Sequence, residues 1–268
     1  MARLFIALAT VALLVLIVVD RAERYLAANA PADDSVTSVS ARLRSPRTSS
    51  RAAARADRAP VAATAPAATF SAADRLARLA IRQRLRTEAD RTYLDSMLTT
   101  TDSVVRRWPE SRHSPLRIAI VPGGAGDYTP RMAEYVNDAI DSWEGLHLGI
   151  RFNLVTDTTD ADITVRWIDR FLIDRAGQTD LTWDRRGRIR HASIILALRD
   201  STGIPIPNPG LRAVAVHEIG HAIGLPHSAR PSDVMYPAAP IAGPSARDQR
   251  TAVLLYDLPA GSIRDGAK

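Results

Sequence analysis

The chain reads His217-Glu218-Ile219-Gly220-His221-Ala222-Ile223-Gly224-Leu225-Pro226-His227, the pattern HExxHxxGxxH. His217 and His221 are four residues apart, so on a helix their imidazoles lie on one face, one turn apart. Gly224 allows a positive φ that ends the helix and turns the chain, which can bring His227 to the same point. Three imidazoles leave the fourth tetrahedral position of a Zn²⁺ ion open for water, the arrangement of a catalytic zinc.

Glu218 lies beside the first histidine, close to the expected ion but not needed as a ligand. HExxH alone also arises in buried helices with incidental histidines, whereas a glycine and a third histidine at fixed offsets are a much more specific signal. Three of the six histidines in the chain fall within this window, which favours the metal site.

A methionine follows at the distance expected for a tight turn beneath the ion, in Ser232-Asp233-Val234-Met235-Tyr236-Pro237. HExxHxxGxxH followed by such a Met-turn is the metzincin signature. His227-Ser228 and the Val234-Met235-Tyr236-Pro237 run resemble most the matrixins, the matrix metalloproteinase group and its bacterial relatives. The resemblance extends more weakly from Leu116 to Tyr256.

The resemblance implies a metzincin-like α+β domain. It would have a twisted mixed sheet with an antiparallel edge strand, an active-site helix and a C-terminal helix. The implied activity is that of a zinc-dependent endopeptidase, with Glu218 as general base and one catalytic zinc. Met235 would shape the floor of the site without touching the metal, and the implied zinc ligands are His217, His221 and His227.

The resemblance also implies a substrate cleft. We expect Ala192 to Leu198 to be the edge strand that lines it, so that an extended peptide could bind as an added strand. Ile195 and Ala197 on this strand, with Tyr236 and Pro237 after the Met-turn, are the candidate cleft residues.

A second metal site is not expected, although segment 174–191 stands where matrixins hold a structural zinc and calcium. Asp184 and His191 coincide with family ligands, but the other ligand positions fall on Gly177 and Thr179. One imidazole does not make a zinc site. We therefore predict no structural zinc and leave calcium open.

The N-terminal region indicates export. Leu4 to Val19 is an apolar run, short for a membrane-spanning helix and long for a signal-peptide core. We interpret residues 1–26 as a signal peptide or a membrane anchor, with the catalytic domain outside in either case. Residues 27–70 are rich in Ala, Arg, Ser, Pro and Thr and predict a disordered linker.

Residues 71–110 predict a helix, capped by Ser71 and running to about Leu98. This helix could be a stalk, a pro-segment, or an element docked on the catalytic unit. Matrixin pro-segments place a cysteine on the zinc, and this chain has no cysteine, so latency by that device is excluded.

Residues 111–259 form the expected catalytic domain, followed by a loose tail at 260–268. Strands are predicted at 117–121, 150–155 and 163–167. One helix is expected to open with Thr129 as its cap and Pro130 at its first position, and two others to begin at about Leu211 and to run from Ser245 to about Tyr256.

The positive charge lies outside this domain. Residues 1–110 carry 17 Arg and 11 acids, a net +6, whereas the remainder of the chain is neutral. We therefore expect no nucleic-acid partner, but a peptide or protein substrate and a monomeric enzyme. Two alternatives stay open: an exported zinc-binding adhesion or assembly module without turnover, and a surface-binding protein that acts through its Arg-rich residues 21–110.

Overall fold

The computed structural model of the chain describes residues 71–99, 103–109, 114–238 and 241–264. All of these described residues belong to one compact unit. The predicted signal or anchor at 1–26 and the predicted linker at 27–70 lie outside the described residues. Among the helices of the described ranges, none is both long enough and apolar enough to cross a bilayer.

The fold is α+β with a mixed five-stranded sheet, which confirms the predicted class. The helices are α1 (Ala72–Thr87), α2 (Arg131–Glu144), α3 (Asn208–Ala222) and α4 (Ala246–Asp257), with a 3₁₀ turn at Leu94–Leu98. The strands are β1 (Val104–Val105), β2 (Leu116–Val121), β3 (Phe152–Val155), β4 (Ile163–Ile168), β5 (Gly177–Trp183), β6 (Ile189–Ala197) and β7 (Gly261–Ser262). The sheet order is β3-β2-β4-β6-β5, and β1 pairs separately with β7.

The two edge strands of the sheet are parallel β3 and antiparallel β5, so the prediction that residues 192–198 form the edge was wrong. Those residues belong to β6, which pairs with parallel β4 on one side and antiparallel β5 on the other. Strand β5 lies inside segment 174–191, which by resemblance corresponds to the loop that holds a structural zinc and calcium in matrixins. Every residue of β5 is half-buried or exposed, so the strand lacks the apolar alternation that marks a half-buried strand in a sequence.

The helices follow the predicted capping signals with three differences. Helix α2 begins at Arg131, with Pro130 rather than Thr129 at the N-cap and no side-chain cap. Ser245 and Asp248 form the expected capping box of α4. Helix α3 begins at Asn208, before the predicted Leu211, because Pro209 occupies the first turn, where a missing N–H breaks no helical hydrogen bond. The predicted helix from Ser71 to Leu98 is divided, since α1 ends at Thr87 and a 3₁₀ turn follows.

Residues 71–109 contribute to the same core as the rest of the unit. Tyr93 and Trp108 are buried, and the Tyr93 hydroxyl donates to the buried Asp248 carboxylate over 2.8 Å. Arg247 donates to the Thr92 carbonyl over 2.6 Å. The segment that follows α1 therefore packs against α4, and the role of residues 71–110 as stalk, pro-segment or docked helix stays a prediction.

Part of the segment predicted as a loose tail is paired. Gly261 and Ser262, in the segment predicted as a tail, form β7 against β1. This short antiparallel pair joins the region before β2 to the region after α4.

Candidate metal centre

Helix α3 presents two histidines toward a common point, as its four-residue spacing predicts. It ends in a Schellman arrangement: the Leu225 N–H donates to the Gly220 carbonyl over 3.0 Å and the Gly224 N–H donates to the His221 carbonyl over 2.8 Å. Gly224 has φ +103°, which confirms the predicted positive φ. The turn brings His227 back beside the helix.

The three imidazoles converge. The candidate ligand atoms of His217, His221 and His227 all lie within 4.8 Å of one another, and this is the one group of three possible metal ligands found in the described ranges. The Nε2 atoms of His221 and His227 are 3.1 Å apart. A tetrahedral zinc with bonds of about 2.0–2.1 Å holds its ligands roughly 3.3 Å apart, so the cluster fits such an ion.

Backbone carbonyls set the tautomers of two of these rings. The Nδ1 of His217 contacts the Val234 carbonyl at 2.7 Å, and the Nδ1 of His221 contacts the Leu225 carbonyl at 2.8 Å. A carbonyl only accepts, so each Nδ1 carries the proton and each Nε2 keeps its lone pair. Outer hydrogen bonds of this kind orient histidines that bind metals.

The environment of the three histidines also favours neutral imidazoles, the form that binds metals. Burial lowers the pKa of His217, and burial lowers the pKa of His227 to about 4, with His217 adding to the effect. The pKa of His221 falls well below its usual value, through burial and then through its two histidine neighbours. All three imidazoles are therefore unprotonated at neutral pH, as ligation requires.

Glu218 lies next to these ligands and is only 5% exposed. Burial raises the pKa of Glu218 to about 7, and a hydrogen bond from the Thr179 hydroxyl acts in the opposite direction. A divalent cation nearby would favour the ionised carboxylate. The position and environment of Glu218 suit a group that accepts and releases a proton near neutral pH.

Met235 is fully buried beneath α3. Its carbonyl accepts from the Ser228 N–H over 2.8 Å, which joins the Met-turn to the residue after the third histidine. The preceding residue, Val234, donates its N–H to the Asp248 carboxylate over 2.7 Å, and its carbonyl accepts from His217. The Met-turn therefore supports the site through backbone contacts.

The Arg247 guanidinium, on α4, binds the Met-turn to that helix. Arg247 donates to Asp233 over 2.8 Å and to the Ser228 hydroxyl over 2.9 Å. The Ser245 hydroxyl donates to the same Asp233 carboxylate over 2.8 Å. In the sequence, Asp233 stands out only as part of the Met-turn run, and the network could not be predicted because its members are separated along the chain.

The four predicted cleft residues lie in two different elements, the segment after the Met-turn and strand β6. Tyr236 is half-buried and Pro237 is exposed directly after the Met-turn. Ile195 and Ala197 lie on β6, one strand inside the edge, so the reason for assigning them to the cleft was wrong; the Ala197 N–H already donates to the Ala176 carbonyl over 2.8 Å.

The residues compared with structural-metal ligands make other contacts in the structure. Asp184 closes the turn between β5 and β6 and is bound by Arg188 and Arg190 at 2.8 Å each. His191 contacts the Ala161 carbonyl at 3.2 Å. Gly177 and Thr179 lie instead against Glu218, a contact that the sequence analysis missed because it did not recognise β5 as a strand.

Replacing Gly220 with alanine is expected to destabilise the unit by about 1–3 kcal/mol, because a new methyl group would overpack the space beneath α3. The added Cβ would collide with the Met235 sulfur and come within 3.0 Å of the Trp143 ring. Urea unfolding measures the change, with Gly126→Ala as control, since nothing lies within 4 Å of a Cβ at Gly126. Equal stability of the two variants would contradict this packing.

A protein-family model described as Matrixin matches residues 206–250. The matched segment contains α3, the three histidines and the Met-turn, and it covers a small part of the chain. No curated protein matches the chain significantly. The family match and the histidine cluster together support a zinc metalloprotease at the level of the family.

Proposed function

We propose that the protein is a zinc-dependent endopeptidase of the matrixin type. The observation that carries the proposal is the convergence of His217, His221 and His227 beside the buried Glu218, inside the segment that the family model matches. A protein that only stored zinc would not need a buried carboxylate at this position.

The chain's own residues divide the work of peptide hydrolysis. The three histidines would hold the zinc, which when bound acts as a Lewis acid on a carbonyl and makes water more acidic. Glu218 accepts the proton of the attacking water and delivers it to the leaving amine nitrogen. Val234 and Leu225 keep the first two rings in the required tautomer through their carbonyls.

The substrate we propose is an extended peptide that pairs with the outer edge of β5. This strand is terminal in the five-stranded sheet and lies against α3. Its outward N–H and C=O groups would hydrogen-bond an added strand, and side-chain pockets would select sequence. Tyr236 and Pro237 are the candidate side chains on the far wall of the cleft.

We further propose that the protein acts outside the cytoplasm as a monomer. Leu4 to Val19 supports export, either as a cleaved signal or as an anchor that tethers the enzyme to the membrane. The neutral charge of the catalytic region supports a peptide or protein substrate over a nucleic acid.

The test uses the full chain, because truncation at residue 111 would remove buried residues such as Tyr93 and Trp108. We expect one zinc per chain by metal analysis, cleavage of a peptide library, and loss of cleavage after chelation with recovery on adding zinc. A thousandfold excess of zinc over its Kd should stabilise the fold by about 4 kcal/mol, which thermal unfolding detects.

Two results would oppose the proposal. A metal-free, inert protein would remove the zinc site and the activity together. Stoichiometric zinc without cleavage of any library peptide would favour the alternative, a zinc-binding adhesion or assembly module.

A further inference from the structure

The edge strand β5 contacts the proposed general base through a side chain outside the HExxHxxGxxH pattern. The Thr179 hydroxyl donates to Oε2 of Glu218 over 2.6 Å. The same hydroxyl oxygen is 3.2 Å from the Glu218 carbonyl. A hydroxyl carries one proton, and the shorter contact to a carboxylate is the stronger one.

A glycine two residues earlier makes room for the other side of this carboxylate. A Cβ built on Gly177 would collide with Oε1 of Glu218 and lie 2.7 Å from its Cγ and Cδ atoms. Alternate residues of a strand face the same side, so Gly177 and Thr179 meet α3 together. One residue provides space and the other a hydrogen bond.

A proton-transfer group needs this kind of restraint. A glutamate side chain has three rotatable torsions, and a displacement of about 1 Å at a catalytic group can cost roughly 100-fold in rate. With Oε2 held by Thr179, the lone pairs of Oε1 remain for the proton of the attacking water.

We propose that Thr179 is a positioning residue that orients the Glu218 carboxylate for proton transfer, with Gly177 as the space that this orientation requires. The proposal rests on the proposed endopeptidase function. Strand β5 would then have two roles. Its outer edge would bind the peptide, and its residues that face α3 would orient the Glu218 carboxylate.

The test compares three variants of the full chain in their zinc-loaded form. Thr179→Val keeps the side-chain shape and removes the hydroxyl, so we expect kcat to fall roughly 10–100-fold with KM little changed. Thr179→Ser restores the hydroxyl and should recover most of kcat. Gly177→Ala keeps the hydroxyl but displaces the carboxylate, and should also lower kcat.

Thr164→Val is the matched control, because Thr164 is half-buried in the same sheet on β4 and has no part in the site. Zinc content should be unchanged in Thr179→Val, and its melting temperature should fall by only the few degrees expected for the loss of one buried hydrogen bond. A crystal structure of that variant should show the Glu218 carboxylate moved from its wild-type position. These readouts separate an orienting role from a general loss of structure.

Wild-type kcat in Thr179→Val would overturn the proposal while leaving the endopeptidase function intact. Equal losses of kcat in Thr179→Val and Thr179→Ser, or loss of zinc in both, would also overturn the proposal, since the hydroxyl would then not be what orients Glu218. If the wild-type chain binds no zinc and cleaves no peptide, the proposed function itself fails.

Discussion

Glu218→Ala is expected to abolish peptide hydrolysis while zinc stays bound. The carboxylate is not needed as a ligand, because three imidazoles already converge on the metal position. Its removal takes away the group that accepts the proton of water, and general acid–base catalysis is typically worth about 10²–10⁴ in rate. Peptide cleavage and metal analysis on the same preparation measure both quantities.

Glu218→Gln is the companion variant, since it retains the volume and hydrogen-bonding capacity of the side chain but cannot take up a proton at neutral pH. Both variants should fold and bind zinc like the wild type. A rate close to that of the wild type in either variant would remove Glu218 from the role of general base.

Trp108→Ala is expected to destabilise the unit by about 3–5 kcal/mol, as large-to-small substitutions of buried aromatic residues do. The Trp108 side chain is 2% exposed, and its indole N–H donates to the carbonyl of Ala222, the last residue of α3, over 2.8 Å. Removing it leaves a cavity and a helix-end carbonyl without its donor, directly after His221. Urea unfolding measures the loss.

The matched control for this variant is Trp183→Ala. Trp183 is 45% exposed and stacks with the Arg106 guanidinium 4.0 Å from its ring centroid. A contact of this type is worth only about 0.5–1 kcal/mol. Similar losses in the two tryptophan variants would show that residues 103–109 do not support the end of α3.

The histidine cluster could be predicted from the sequence because its three members are close along the chain. Helical periodicity places His217 and His221 on one face of α3. Gly224 predicts the turn that brings His227 beside them. The capping box of α4 was equally local, with Ser245 and Asp248 three residues apart. Such signals need no knowledge of distant partners.

The contacts that the sequence did not reveal join residues far apart. Tyr93 and Asp248 are separated by 155 positions, and Thr179 and Glu218 by 39. The strand that carries Thr179 was missed because its exposed side chains give little apolar alternation. The sequence signal for this strand was the turn from Asp184 to Arg188, which contains Gly187. In the structure Gly187 has φ +72°, as a hairpin turn requires, and β5 and β6 pair on its two sides.

The pairing of Val104 with Ser262 has a consequence for biosynthesis. A growing polypeptide cannot form this pair until the ribosome has passed residue 262, and contacts between such distant positions form slowly. Tyr256, whose hydroxyl donates to the Ile223 carbonyl over 3.0 Å, arrives equally late. The Ile223 carbonyl, at the C-terminal end of α3, therefore gains this hydrogen bond only after residue 256 has been synthesised.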